Sequence, residues 1–125
     1  MSKVLIVEDD VDICRALMIR LKAAGYDVTV AHDALAGLRE AVKVEPDLAI
    51  LDISMPAGNG FTLAERMMAL PTTAMTRFLF MTASKRSSFR ERANELGAKS
   101  FIEKPFDSAT LLEAVAGALA DRSEE

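Results

Sequence analysis

Glu8, Asp9, Asp10 and Asp12 put four acids into five residues, and a fifth, Asp52, closes a later apolar run. Carboxylates gathered in one place repel each other and are hard to keep ionised. A divalent cation removes that difficulty. An oxygen-only set without His or Cys favours Mg²⁺, which keeps several waters and takes one or two direct carboxylates. A carboxylate in such a site can attack phosphorus and become an aspartyl phosphate. The phosphoryl oxygens then need positive charge and donors, which the Lys104 ammonium and the Thr82 hydroxyl can supply. Each residue also has a structural reading. The acidic run can be a solvated turn in which Asp10 caps a helix, Thr82 a β-branched strand residue, and Lys104 a surface lysine.

For these side chains to meet, the chain must carry them to one edge. Lys3–Val7 is an almost unbroken apolar run, which predicts a strand covered on both faces. From Val11 to Ala24 the stripe Val11, Cys14, Leu17, Met18, Leu21 and Ala24 predicts a helix, with Gly25 as its C-terminal stop. A second strand follows over Asp27–Ala31. Asp33 is placed to cap a second helix carrying Leu35, Leu38, Ala41 and Val42, and Pro46 ends it. Asp47–Leu51 is the third predicted strand, ending at Asp52.

A breaker-rich loop runs from Ile53 to Gly60. A third helix is expected from about Phe61 to Ala69, with an irregular Thr72–Thr76 stretch after it. Arg77–Met81 is a fourth strand, followed by Thr82. Ser88-Phe89-Arg90-Glu91 matches a capping box, so a fourth helix should start near Phe89, with the stripe Phe89, Ala93 and Leu96 and a stop at Gly97. Ser100–Glu103 is a fifth strand. Asp107 or Ser108 opens a last helix with Leu111, Leu112, Val115 and Leu119. Strands alternating with helices imply an α/β fold, a doubly wound parallel sheet with helices on both faces. In such a sheet ligands bind at the carboxyl ends of the strands, where Glu8, Asp9, Asp52, Thr82 and Lys104 fall.

Composition narrows the function classes. With 125 residues the chain suits one domain, and a formal net charge of −4 disfavours a general nucleic-acid binder. The acidic excess lies wholly in residues 1–60, which hold 10 acids and 6 bases, against 9 of each in residues 61–125. A single Cys, Cys14, permits no internal disulfide, and no Cys/His cluster suggests zinc. We expect a cytoplasmic protein: no signal peptide is visible and no apolar run is long enough to cross a bilayer.

Four motifs then carry a resemblance: Val7-Glu8-Asp9-Asp10, Asp52-Ile53-Ser54-Met55-Pro56 with Gly60 beyond, Met81-Thr82-Ala83, and Lys104-Pro105-Phe106. Their order and spacing, 43 residues from Asp9 to Asp52, 30 on to Thr82 and 22 on to Lys104, are also those of the family. From Val4 to about Leu119 the sequence resembles the receiver domain of bacterial two-component response regulators, of the chemotaxis-regulator kind. The resemblance implies a (βα)5 flavodoxin-like sandwich of strand order 2-1-3-4-5, with a receiver domain over 1–121 and a polar tail over 122–125. It implies that Asp52 is the phosphoacceptor. Asp9, Asp52 and the Ser54 backbone carbonyl would ligate Mg²⁺, Glu8 would reach it through water, and Thr82 and Lys104 would contact the phosphoryl group. Lys104–Pro105 would be a cis peptide. Thr82 and Phe101 would form the switch, in which the hydroxyl moves toward the phosphoryl group and the aromatic ring turns inward.

The phosphodonor implied is a histidine kinase or histidine phosphotransfer protein. Output would pass to a protein partner through the face made by the fourth helix, fifth strand and fifth helix, with no direct nucleic-acid or membrane binding. Such a domain is a signalling phosphoacceptor whose only chemistry is its own phosphorylation and dephosphorylation. Ser54 and Ser84 stand at the two variable positions flanking the site and bring neither carboxamide nor carboxylate. The chain could stand alone, or be a receiver excised from a multidomain transcription factor or hybrid histidine kinase.

Two other classes fit less well. A Mg²⁺-dependent aspartyl-phosphate phosphohydrolase usually has a second Asp two residues after its nucleophile, where this chain has Ser54. A flavodoxin-like flavin carrier must cradle a phosphate after the first strand, where Glu8-Asp9-Asp10 would repel it. The stretch Lys85–Lys99 carries five bases and two acids, which reads as a solvated face or a docking surface for an acidic partner.

Overall fold

A computed structural model describes residues 1–55 and 58–120. Pro56 of the second motif and the polar tail over 122–125 lie outside the described residues. The strands are β1 Lys3–Val7, β2 Asp27–Ala31, β3 Leu48–Asp52, β4 Arg77–Thr82 and β5 Ser100–Glu103. The helices are α1 Val11–Ala23, α2 Ala34–Val44, α3 Gly60–Met68, α4 Ser87–Glu95 and α5 Ser108–Ala120. All strand pairings are parallel, in the order β2-β1-β3-β4-β5. This is the doubly wound sheet expected from the alternating pattern.

Two apolar layers sandwich the sheet, and the alternation of side chains along each strand divides them. Val4, Ile6, Leu48, Ile50, Leu79 and Met81 face Leu17 and Leu21 of α1 and Leu111 and Val115 of α5. Leu5, Val7, Ala49, Leu51, Phe78 and Phe80 face Leu63, Ala64 and Met67 of α3, Ala41 of α2 and Ala93 of α4. β3 is buried along its whole length, as a central parallel strand must be. Its two faces are covered, so the strand that ends in Asp52 is held on every side.

Caps and stops are mostly those the sequence announces. The Asp10 side chain accepts from the Asp12 and Ile13 amides, and Asp33 caps α2 through the Ala36 amide. Asp107 accepts from the Thr110 amide, which opens α5. Gly25 follows α1 at φ +97°, a backbone region in which a Cβ is strained.

Two local expectations need correction. α4 begins at Ser87, not near Phe89, and Ser88 makes no capping box; its N-cap, Arg86, forms no side-chain cap bond. The turn is already set upstream, where the Ser84 amide donates to Thr82 Oγ1 and the Arg86 amide to Ser84 Oγ. On α2, Leu35 and Val42 are exposed, while Gly37 and Ala41 face inward. A Cβ on Gly37 would stand 3.0 Å from both Val7 and Leu63, so α2 lies too close to its neighbours for large side chains on that face. Of the two adjacent methionines of α3, Met67 lies in the core and Met68 is exposed. The Thr72–Thr76 stretch is irregular, as expected, and is tied down by the Thr73 hydroxyl on the Met67 carbonyl and that of Thr76 on the Pro46 carbonyl.

Cys14 is buried in the α1 layer, as its place on the stripe implies. Burial, with the nearby Glu8 charge, pushes its thiol from 9.0 up to about 11. Between those values the folded chain keeps a proton that the unfolded chain has lost. Stability therefore falls as pH rises through that window, and is unaffected by this group below it. Urea unfolding from about pH 8.5 to about 10.5 should show a steeper loss for the parent than for Cys14→Ala. Equal slopes would refute the assignment.

Candidate phosphoacceptor and metal site

Parallel strands deliver their carboxyl ends to one edge. The register sets Val7 beside Leu51, Asp52 beside Met81 and Thr82 beside Glu103. Glu8 and Asp9 after β1, Asp52 at the end of β3, Thr82 at the end of β4 and Lys104 after β5 thus share that edge. Carboxylate oxygens of Glu8, Asp9 and Asp52 lie within 4.8 Å of one another.

Glu8 and Asp52 are almost fully buried, at 1% and 4% exposure, while Asp9 is exposed. Burial on this scale demands compensation. Lys104 Nζ provides it, standing 2.5 Å from Glu8 Oε1 and 3.3 Å from Asp52 Oδ2. The remaining oxygens accept backbone amides, Glu8 Oε2 from Asp10 and Asp52 Oδ1 from Ser54. Burial draws the Lys104 ammonium down, but its hydrogen bond to Glu8 and the charges of Asp52 and Glu8 outweigh this. The net effect holds its pKa above the ordinary lysine value.

The backbone around the site is equally constrained. Lys104–Pro105 is cis, and the Lys104 amide donates to the Thr82 carbonyl at 2.7 Å. The Thr82 side chain is fully buried, and its hydroxyl accepts the Ser84 amide. The Glu8 amide donates to the Ala31 carbonyl, and His32 Nδ1 donates to the Glu8 carbonyl at 3.0 Å. That contact joins the segments after β1 and β2, so no local spacing in the sequence shows it. Of the acidic run, Asp10 and Asp12 serve the start of α1, and Glu8 and Asp9 face the site. Phe101 is half-buried against the α3/α4 layer.

Gly60 supports Asp52 from behind. A Cβ there would sit 2.6 Å from the Asp52 carbonyl oxygen, closer than real side chains approach backbone. Gly60→Ala should therefore force the end of β3 to move. We expect a loss of about 2 kcal/mol, seen as a lower urea midpoint at unchanged slope. A midpoint equal to the parent's would show that the loop absorbs the methyl freely.

The comparisons with known proteins agree with this geometry. The family model for the response regulator receiver domain matches residues 4–116. The chain belongs to that family. This receiver domain is 36% identical over 115 residues to the DNA-binding dual master transcriptional regulator RpaA of Synechocystis, covering 92% of this chain and 48% of that protein. It is 32% identical to the response regulator ArlR of Staphylococcus saprophyticus, covering 90% and 50%. The chain thus spans about half the length of these curated relatives.

Among solved structures, the Vibrio cholerae chemotaxis protein CheY4 superposes with a TM-score of 0.90 at 30% identity, over 95% of this chain and 99% of that one. A CheY-like receiver domain protein from Methanospirillum hungatei gives 0.91 at 27% identity, over 99% and 98%. The fold is therefore the CheY-like, flavodoxin-like sandwich, and the function is that of a receiver domain of two-component signalling. Receiver domains bind Mg²⁺ at an acidic pocket and work with histidine kinases and downstream effectors. Among the described residues, no helix is long and apolar enough to cross a membrane.

Proposed function

We propose that this receiver domain takes a phosphoryl group from a phosphohistidine donor onto Asp52 and signals by a change on its α4–β5–α5 face. The observation that carries this reading is the convergence of Glu8, Asp9, Asp52 and Lys104 from three strand ends. In the reaction an Asp52 carboxylate oxygen forms a bond to phosphorus as the donor's P–N bond breaks. The electron pair leaves with the imidazole, which takes up a proton. Lys104 already bonds to Asp52 Oδ2 and can follow the charge onto a phosphoryl oxygen. The Thr82 hydroxyl only accepts from the Ser84 amide, so its own O–H can donate to a phosphoryl oxygen.

The donor set fits Mg²⁺: three clustered carboxylates, no nitrogen or sulfur ligand, and one exposed edge at Asp9. Asp9, Asp52 and the Ser54 carbonyl would hold the ion directly, and Glu8 through water. Bound there, Mg²⁺ supplies positive charge to the carboxylates and to the incoming phosphoryl oxygens. Phe101 turning inward would pass the signal to α4 and α5. The receiver would span 1–121 with a tail over 122–125, act in the cytoplasm, and catalyse only its own phosphorylation and dephosphorylation. Its donor would be a histidine kinase or histidine phosphotransfer protein, and its output partner a protein.

A second reading makes it the input unit of a longer transcriptional regulator or hybrid kinase. It is supported by the relatives, whose length the chain covers only by about half. For the phosphoacceptor site, the test is intact mass after incubation with acetyl phosphate and Mg²⁺. One added phosphoryl group is expected, and none in EDTA; a parent chain that stays unmodified overturns the reading.

A further inference from the structure

Of the five described helices, α4 has the fewest buried residues. It has nine residues, no side-chain cap, and one fully buried residue, Ala93. Phe89 and Leu96 pack partly buried against the same layer, and polar contacts add to this. Arg92 bridges to Glu65 of α3 at 2.9 Å and to Glu95 on its own helix at 3.2 Å. Arg90 reaches β5. Its guanidinium lies over the Phe101 ring, 4.6 Å from the centroid, and its Nη2 stands 3.5 Å from Glu103 Oε1.

The placing of these groups is specific. Phe101 and Glu103 are alternate residues of one short strand, and the register sets Glu103 directly beside Thr82. Thr82 in turn binds the Ser84 amide in the segment that leads into α4. One arginine therefore touches the aromatic ring and the residue opposite the switch hydroxyl. Phe101 has no hydroxyl with which to fix its own rotamer, so beside its apolar packing the cation on its face biases the ring. Arg90 and Glu103 are exposed, so the contact is weak enough to be broken by a small signal.

We propose that Arg90 is a latch. Braced by Glu103 and laid on Phe101, it holds α4 against β5 in the unphosphorylated conformation, and it must let go when the ring turns. This rests on the reading of Asp52 as phosphoacceptor and of Phe101 as the moving ring. A ligand that favours the released conformation then binds more tightly when the latch is removed, by as much as the latch favoured the resting one.

The test uses the whole chain with saturating Mg²⁺ and beryllofluoride as the phosphoryl mimic, followed by NMR. Arg90→Gln should shift the Phe101 ring resonances without ligand and tighten the apparent beryllofluoride affinity about threefold. Arg90→Lys, which keeps a cation, should fall between Arg90→Gln and the parent. In a Phe101→Leu background, Arg90→Gln should change the affinity no further. A folded Arg90→Gln protein with parental ring shifts and affinity overturns the latch, as does an unchanged threefold gain in the Phe101→Leu background. A parent that gives no beryllofluoride response at the Asp52 site overturns the site reading, and the latch with it.

Discussion

Asp52→Ala will gain no phosphoryl group from acetyl phosphate and Mg²⁺ under conditions in which the parent gains one. The prediction is demanding because two other carboxylates, Glu8 and Asp9, have oxygens within 4.8 Å of one of Asp52's own. Glu8 is the worse placed of the two buried carboxylates, because Lys104 holds its Oε1 at 2.5 Å, against 3.3 Å for Asp52. Asp9 is exposed at the rim and lacks the contact to Lys104 that Asp52 has. Asp52 meets the ammonium at a looser 3.3 Å, and its other oxygen is oriented by the Ser54 backbone amide. That arrangement positions a nucleophile and a charge acceptor together. Intact mass is the measurement. Uptake by Asp52→Ala at the parent's rate would show that a different group carries the phosphoryl.

Lys104→Met should cost about 3 kcal/mol of stability in Mg²⁺-free buffer, read from urea unfolding. Methionine fills much the same volume, so the loss is chiefly of charge. Glu8 and Asp52 would remain buried with no cation between them, and breaking a buried pair on one side is far costlier than its net worth suggests. In the parent, the ammonium's raised pKa means that this stabilisation is complete below the ordinary lysine value and is lost as pH climbs past the folded one. Mg²⁺ should restore more stability to Lys104→Met than it adds to the parent, because it binds the folded carboxylates and replaces the missing charge. A variant as stable as the parent would overturn this account of the site, as would one that gains no more from Mg²⁺.

How much of this could be read beforehand depends on whether a feature is local. The strand ends could be read, since a parallel sheet places every carboxyl end on one edge and Glu8, Asp9, Asp52, Thr82 and Lys104 each follow an apolar run. The start of α4 could not. Ser88 and Glu91 have the right spacing for a cap, but the Ser84 and Thr82 bonds turn the chain earlier. The α2 stripe failed for a related reason. Periodicity finds the apolar side chains of a helix, not how near the next layer stands, and at Gly37 it stands too near for leucine.

The sequence by itself determined the alternation of strands and helices, the family, and the residue types gathered at the functional edge. Those follow from patterns within a few residues and from motif order. Tertiary structure alone decided what each gathered group is committed to. Lys104 neutralises Glu8 from 96 residues away, His32 fastens the Glu8 carbonyl, Gly60 leaves room for Asp52, and Arg90 covers Phe101. Such commitments depend on distances of a few ångströms between chain-distant atoms. Hydrogen bonds and close charge pairs weaken steeply beyond those distances, and no spacing along the chain encodes them.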